Sequence, residues 1–489
     1  MNTRMRWHWL AVALASLPSI LSAQHIAIAD YSAITPASQP YAITEGPDRA
    51  VWFTEWSGNN IGRVTAAGAL NEYAVPTADS EPAGIAAGPD GALWFTESLG
   101  NKIGRITTGG TITEYSLPTA QSLPDGITSG PDGALWFTET NRIGRITTAG
   151  AITEYSLPSQ GSYPDQITTG PDGALWFTES ALGIGRITVT GAITEYPVTG
   201  NTVFPSGITA GPDGALWFTT LDGNTIGRIT TAGAITQYPV PTANSRPYGI
   251  ASGPDGALWF TEESGNKLGR ITTAGAITEY PMPRAGSGPW GITSGPSHAL
   301  WTTEVYGNRI GEAVFVTAGL GVSPAVASFG TSLTFNGSAF TPNETVSIYE
   351  FGIGSAVLAS ARADASGAFT AAAANPAAQH GPRIFFGVGQ SSQKLGAARL
   401  SVTPLLNLNP DSGTAGSTVV AVGYGFAALE TVGIEWPGQR ELLTEALAST
   451  AGGFSANITI PADASPGVYT VTALGFASGA QATTSFTVQ

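Results

Sequence analysis

From residue 30 to residue 315 the chain runs in short apolar stretches, each closed by a glycine, proline, asparagine or threonine-rich turn word. No stretch sustains the 3.6-residue period of an amphipathic helix. The stretches recur as a unit whose words, GPDGALWFTE, NKIGRITT and GAITEYSLP, return with a tryptophan at Trp52, Trp94, Trp136, Trp176, Trp217, Trp259 and Trp301. A spacing of 40 to 42 residues fits one four-stranded propeller blade and is too short for a strand–helix–strand unit. In the second unit the pattern predicts strand A at Gly84-Ile85-Ala86, strand B at Ala92-Leu93-Trp94-Phe95-Thr96, strand C at Ile103-Gly104-Arg105-Ile106 and strand D at Ile112-Thr113-Glu114-Tyr115. The Gly-Pro-Asp-Gly word between A and B presets φ at proline and accepts positive φ at glycine, as a hairpin turn requires.

Strands A, B and C occur seven times, whereas the ITEY strand follows only the first six copies. The missing D strand has a counterpart at the other end of the repeat region, where Ile28-Ala29-Asp30-Tyr31 matches Ile-Thr-Glu-Tyr. It is expected to pair with Ile310-Gly311-Glu312-Ala313, closing the ring and removing its exposed edges.

Composition supports a turn-rich β protein with a large core: 63 glycines, 33 prolines, 42% hydrophobic and only 11% charged residues in 489. A net charge of −15 argues against a nucleic-acid partner. With no cysteine, thiolate metal sites, disulfides and a cysteine nucleophile are excluded. Arg4 and Arg6 precede the apolar run Trp7 to Leu21 and the small-residue site Leu21-Ser22-Ala23, the pattern of a secretory signal cleaved near Ala23. The run is shorter than a membrane span. The expected product is therefore an exported chain, periplasmic or secreted, without a transmembrane anchor.

The repeat words over about residues 25 to 317 resemble the streptogramin lyase (virginiamycin B lyase) family of seven-bladed propellers. The resemblance implies a metal-assisted elimination that opens a cyclic depsipeptide at its ester. In the family, histidines stand third in the x-Pro-His-[Gly/Ala]-Ile words of repeats six and seven. A carboxylate before the seventh proline and a glutamate ending the seventh B strand complete that site. Here the words are Arg246-Pro247-Tyr248-Gly249-Ile250 and Gly288-Pro289-Trp290-Gly291-Ile292, and only Glu304 keeps the family residue. Tyrosine and tryptophan are poor Mg²⁺ ligands and poor neutral-pH bases, so the sequence leans against catalysis. The other histidines, His8, His25, His298 and His380, are not placed to substitute; His298 falls in an A–B turn, on the opposite face of the ring.

The residues that follow the A-strand prolines should converge at the mouth of the ring: Tyr41, Ala83, Asp125, Asp165, Ser206, Tyr248 and Trp290. This predicts an aromatic crescent of Tyr41, Tyr248 and Trp290, extended by Trp56, for a small-molecule, peptide or glycan ligand. It also predicts a separate acidic patch, where Asp125 and Asp165 with Glu139 and Glu179 would hold Mg²⁺ or Ca²⁺. The competing reading is that these side chains plug the channel. The glutamates ending the B strands, Glu55, Glu97, Glu139, Glu179, Glu262 and Glu304, are expected to pair with the strand-C arginines, Arg63, Arg105, Arg145, Arg186, Arg228 and Arg270. Glu312 replaces the arginine in the seventh repeat, leaving Glu304 without that partner.

After Thr317 two copies of another module follow, marked by Gly337-Ser338-Ala339-Phe340 with Glu344 and by Gly423-Tyr424-Gly425-Phe426 with Glu430. Short Val/Thr/Ala-rich stretches predict Ig-like β-sandwiches at 318–403 and 404–489, after a signal at 1–23 and a propeller at 24–317. Such modules would serve as spacers or attach the protein to a cell-surface partner. Three functions compete: a ligand-binding propeller, a carbon–oxygen lyase with a rebuilt site, and a structural or adhesive surface protein.

Overall fold

A computed structural model of the chain describes residues 25–489 apart from 34, 66–68, 200–203, 297–298, 351–355, 377–380, 393, 428–429, 440, 450–451 and 477. The expected signal at 1–23, with His8, and both His298 and His380 lie outside the described residues. The described part is all-β, and no α-helix occurs in it.

Seven four-stranded antiparallel sheets form the propeller. In the second blade the strands are Pro82–Ala87, Leu93–Glu97, Lys102–Ile106 and Ile112–Ser116. Strand B is buried along its whole length and strand D is only half-buried, so A and B line the inside and D the rim. The last blade is assembled from both ends of the repeat region. His25–Ser32 pairs with Arg309–Val316, with Ile28 opposite Ala313 and Tyr31 opposite Ile310, in the register that the strand count demands.

Phe95 of strand B lies against Gly104 of strand C, where a Cβ would fall 2.1 Å from the ring. The glycine therefore lets neighbouring blades stack closely. Most connectors between blades are held from both sides. Asn59, in the B–C turn of the first blade, accepts from the Ser80 amide at 2.9 Å, and Glu114 of the next blade accepts from the Thr77 amide at 2.9 Å. The same device spans the closure, where Asn308 accepts from the Ser38 amide at 2.8 Å and Glu72 from Thr35.

The expected Glu–Arg ladder does not form. Each of these six arginines instead reaches the aspartate of its own A–B turn: Arg63–Asp48, Arg105–Asp90, Arg145–Asp132, Arg186–Asp172, Arg228–Asp213 and Arg270–Asp255, at 2.6 to 2.7 Å. The same carboxylate accepts from the blade's tryptophan Nε1, as Asp132 does from Trp136 at 3.0 Å. In five blades the guanidinium also lies over the indole. The arginine and the glutamate are three residues out of phase, because Trp136 and not Glu139 is the cross-strand neighbour of Arg145. In the seventh blade Glu312 stands opposite Trp301 and accepts from Tyr31 at 2.6 Å.

Beyond the ring, strands from Ala318 to Val402 form one eight-stranded sheet system, and strands from Leu405 to Val488 form a three-stranded and a five-stranded sheet. Equivalent contacts recur in them: Phe369 covers Gly337 as Phe454 covers Gly423. Glu344 accepts from the Thr341 amide and Ser392, as Glu430 does from the Ala427 amide and Ser478. The first of these sheets shares a core with the closing blade, in which Ile384, Phe386, Val388 and Leu395 pack with Trp301, Ile310, Val314 and Val51. It is docked on the ring and is not a free spacer.

Candidate functional site

The mouth residues are aimed by a repeated irregularity. In six A–B pairs the register shifts between the proline and the isoleucine three residues later, as between Pro40 and Ile43 opposite Glu55 and Phe53. Such a bulge turns one side chain out of the pleat, here the residue after the proline. Its carbonyl is then held by a threonine of the preceding blade: Thr54 to Ala83, Thr96 to Asp125, Thr138 to Asp165, Thr178 to Ser206, Thr219 to Tyr248, Thr261 to Trp290 and Thr303 to Tyr41, at 2.5 to 2.7 Å. The next position is tight. A Cβ on Gly84 would come within 2.3 Å of the Asp125 carbonyl oxygen. The threonine ring went unrecognised in the sequence, although one threonine at the same place in all seven B strands is a visible signal.

The aromatic crescent and the acidic pair meet. Tyr248 and Trp290 stack with ring centroids 3.7 Å apart, Tyr41 lies 5.4 Å from Trp290, and the Tyr41 and Tyr248 hydroxyls are 3.1 Å apart. The Tyr248 hydroxyl donates to Asp165 at 3.4 Å, and Gln166 donates to the same oxygen at 3.3 Å. Trp56 packs on Tyr41 at 5.0 Å, behind the crescent. Together these groups separate two spaces. Below them is a channel of about 100 Å³ walled by isoleucines such as Ile43, Ile85 and Ile250. Above them is a cavity of about 330 Å³ lined by Tyr41, Asp125, Asp165, Tyr248 and Trp290, with Leu123 and Tyr163 at its lip. The side chains therefore plug the channel and floor a mouth cavity at once.

Burial, then the charge of Asp165, pushes the Asp125 carboxyl well above the usual range. Burial raises Asp165 to about 6 against hydrogen bonds from Gln166, Asp125 and Tyr248 that hold it down. Both tyrosine hydroxyls are pushed up, by burial first and then by nearby acidic groups. Neither is a phenolate near neutrality.

Glu139 and Glu179 do not join the aspartates. They are buried inside their blades, 1% and 0% exposed, with no hydrogen-bond partner on either oxygen. Burial, then the neighbouring Glu154 and Glu195, raises each to about 7. Among the described residues no group of three or more acidic or histidine side chains is placed to hold a metal ion. Glu304 is likewise fully buried and raised to about 8, by burial and then by Asp30, and it does not line the mouth cavity.

This repeat architecture has relatives of known fold. Residues 23–160 and 136–318 match the Virginiamycin B lyase family. The chain belongs to that family. A streptogramin B lyase structure is 44% identical, covers 59% of this chain and 98% of its own, and superposes with a TM-score of 0.57. Selenomethionine-substituted virginiamycin B lyase from Staphylococcus aureus is equally identical, over 60% of this chain and all of its own, with a TM-score of 0.57. So is a catalytically inactive variant of the Staphylococcus aureus enzyme with quinupristin. Residues 398–488 match a Macroglobulin-like domain, in keeping with the Ig-like sheets at the C-terminus.

Of the four residues that the virginiamycin B lyase resemblance implies for the site, this chain carries only Glu304. Tyr248 and Trp290 present a stacked ring pair where histidines would stand. Gly288 adopts φ 61°, and a Cβ there would lie 2.3 Å from the Tyr306 ring, so Tyr306 occupies the space that a carboxylate side chain would take. Tyr306 instead donates to Glu263, which also meets Arg246 at 3.3 Å. The residues present do not fit the family's divalent metal.

Proposed function

We propose that this virginiamycin B lyase family member is an exported, non-catalytic ligand-binding protein that receives a small molecule or the end of a larger one at the propeller mouth. The observation that carries the proposal is the ring pair Tyr248–Trp290, packed at 3.7 Å over the channel where elimination would require a metal and a base. The retained Glu304 supports the same reading, since a carboxyl buried inside a blade has no route to a substrate α-proton. What replaces the chemistry is a cavity with aromatic walls, polar groups at its base and a pre-formed shape, the usual form of a small-ligand site. The docked C-terminal sheets support a role in presenting the ring at a fixed orientation, and their partner would be a cell-surface component.

The test is an assay of ring opening on a streptogramin B substrate with added Mg²⁺, beside fluorescence-monitored binding of fractionated culture medium to the purified protein. The expected outcome is no turnover, with a saturable change in tryptophan emission that Trp290→Ala abolishes. Turnover lost in Asp165→Asn would replace this reading with a rebuilt lyase.

A further inference from the structure

The seven copies are alike wherever they build the ring and differ where they face the mouth. The position before each A-strand proline reads Gln39, Glu81, Leu123, Tyr163, Phe204, Arg246 and Gly288, so an apolar lip is confined to blades three, four and five. Leu123, Tyr163 and Phe204 are 46%, 59% and 40% exposed, and the first two line the cavity. Directly inside this lip stand the only two carboxylates among the seven residues that follow the prolines, Asp125 and Asp165. Beside them, lining the same cavity, stand Tyr41, Tyr248 and Trp290.

We propose that the mouth cavity takes an organic cation with a compact apolar body, its charge held by the Asp125–Asp165 pair, its flank against the Tyr41, Tyr248 and Trp290 rings and its body against the lip. The inference rests on the ligand-binding reading above and adds the chemical class. No lysine, arginine or histidine is among the residues that line the cavity, so the pair has no counter-charge of its own. The Asp125 Oδ1 atom is enclosed without a hydrogen-bond partner. Electron-rich ring faces beside a carboxylate favour an ammonium group, whose charge the rings and the carboxylate together offset as it leaves water. An inorganic divalent ion is disfavoured because it needs six or more oxygen ligands, and among the described residues only two carboxylates line this cavity. An anion would meet two carboxylates and no cationic side chain. The volume of about 330 Å³ suits a ring with a short side chain.

The pair also ties binding to pH. The ionisable groups facing Asp165 are Asp125 from the third blade, Tyr41 from the first, Tyr248 from the sixth and Tyr163 of its own blade, none of them cationic. Below about 6 both abutting carboxyls carry their protons; above it Asp165 ionises, and its charge together with burial holds the proton on Asp125. The pair is neutral below that point and carries charge above it, so cation binding strengthens as pH rises through it.

The experiment is calorimetric titration of the full-length protein at about pH 7.5 with phenethylamine, 2-phenylethanol and phenylacetate, which share size and shape and differ in charge. The ammonium compound is expected to bind at least about tenfold more tightly than the alcohol, with no detectable binding of the carboxylate. The preference should fall to about one in Asp125→Asn/Asp165→Asn, whose melting curve serves as the folding control, and in the wild type below pH 6. Equal binding of amine and alcohol, or a preference that survives in the double variant, overturns the cation inference and leaves the ligand-binding reading standing. Failure of all three probes also overturns it, while the saturable, Trp290-dependent emission change decides the broader reading separately.

Discussion

The Thr303 hydroxyl donates to the carbonyl of Tyr41 at 2.6 Å across 262 residues of sequence, joining the last B strand to the first A strand. It also accepts from the Gly291 amide of its own blade at 2.8 Å. A single side chain thus closes the ring of inter-blade bonds and sets the backbone from which Tyr41 enters the mouth. Thr303→Val keeps the shape and removes both bonds. It should cost about 1–3 kcal/mol in urea unfolding, because two buried backbone groups lose their partner. It should also weaken mouth ligands more than Thr54→Val, whose carbonyl partner belongs to the small Ala83. Equal ligand affinity in the two variants would refute the positioning role.

The turn aspartates predict an asymmetry that a Glu–Arg ladder would not. Asp132→Ala strands both the buried Trp136 Nε1 and the Arg145 guanidinium, whereas Arg145→Ala leaves the indole bond intact. The aspartate change should cost about 1–3 kcal/mol. The arginine change should cost about 1 kcal/mol or less, since the ion pair is partly solvated. Denaturant midpoints of the two variants decide the order.

Acidity inside the blades makes the ring a base-sensitive structure. Burial holds Glu97, Glu139, Glu179 and Glu262 at about 7 and Glu55 and Glu304 at about 8, against an ordinary 4.5. A carboxyl raised in the folded state keeps its proton where the unfolded chain has lost it, so its contribution is complete below 4.5 and lost as pH rises through 7 to 8. The turn aspartates, lowered by their indole and guanidinium partners, oppose this only at acid pH, below the usual carboxylate range. Melting temperature should therefore fall by about 5 °C or more between pH 5 and pH 8. A flat profile over that interval would mean that water or counter-ions satisfy these carboxyls. Thr220, which fills this place in the fifth blade beside Thr225 and Gln237, predicts that Glu139→Gln flattens part of the slope.

The core shared by the ring and the first C-terminal sheet predicts that damage to one is felt in the other. Phe386 is fully buried in the cluster that contains Trp301 and Val314. Phe386→Ala should cost about 3–5 kcal/mol. It should also raise hydrogen exchange in His25–Ser32, the strand that closes the ring, whereas Phe454→Ala, in the separate C-terminal core, should leave that strand protected. Identical exchange in both variants would show that the docking carries no stability.

Blade number, strand order and the closing register were readable from the sequence because they depend on local periodicity and on counting. A period near 42 residues admits one kind of blade, and a D strand absent after the seventh copy and present before the first leaves one way to close. The mouth residues were readable for the same reason, each being named by its proline. Partner choice was not. The arginines take Asp and Trp in place of Glu because strand register, set by hydrogen bonding between strands, puts Arg145 opposite Trp136. Nor could the chain order reveal that Asp125, Asp165, Tyr41 and Tyr248 meet at one floor. They come from blades three, four, one and six, and only closure of the ring brings those blades within reach across a channel narrow enough for two hydroxyls to stand 3.1 Å apart.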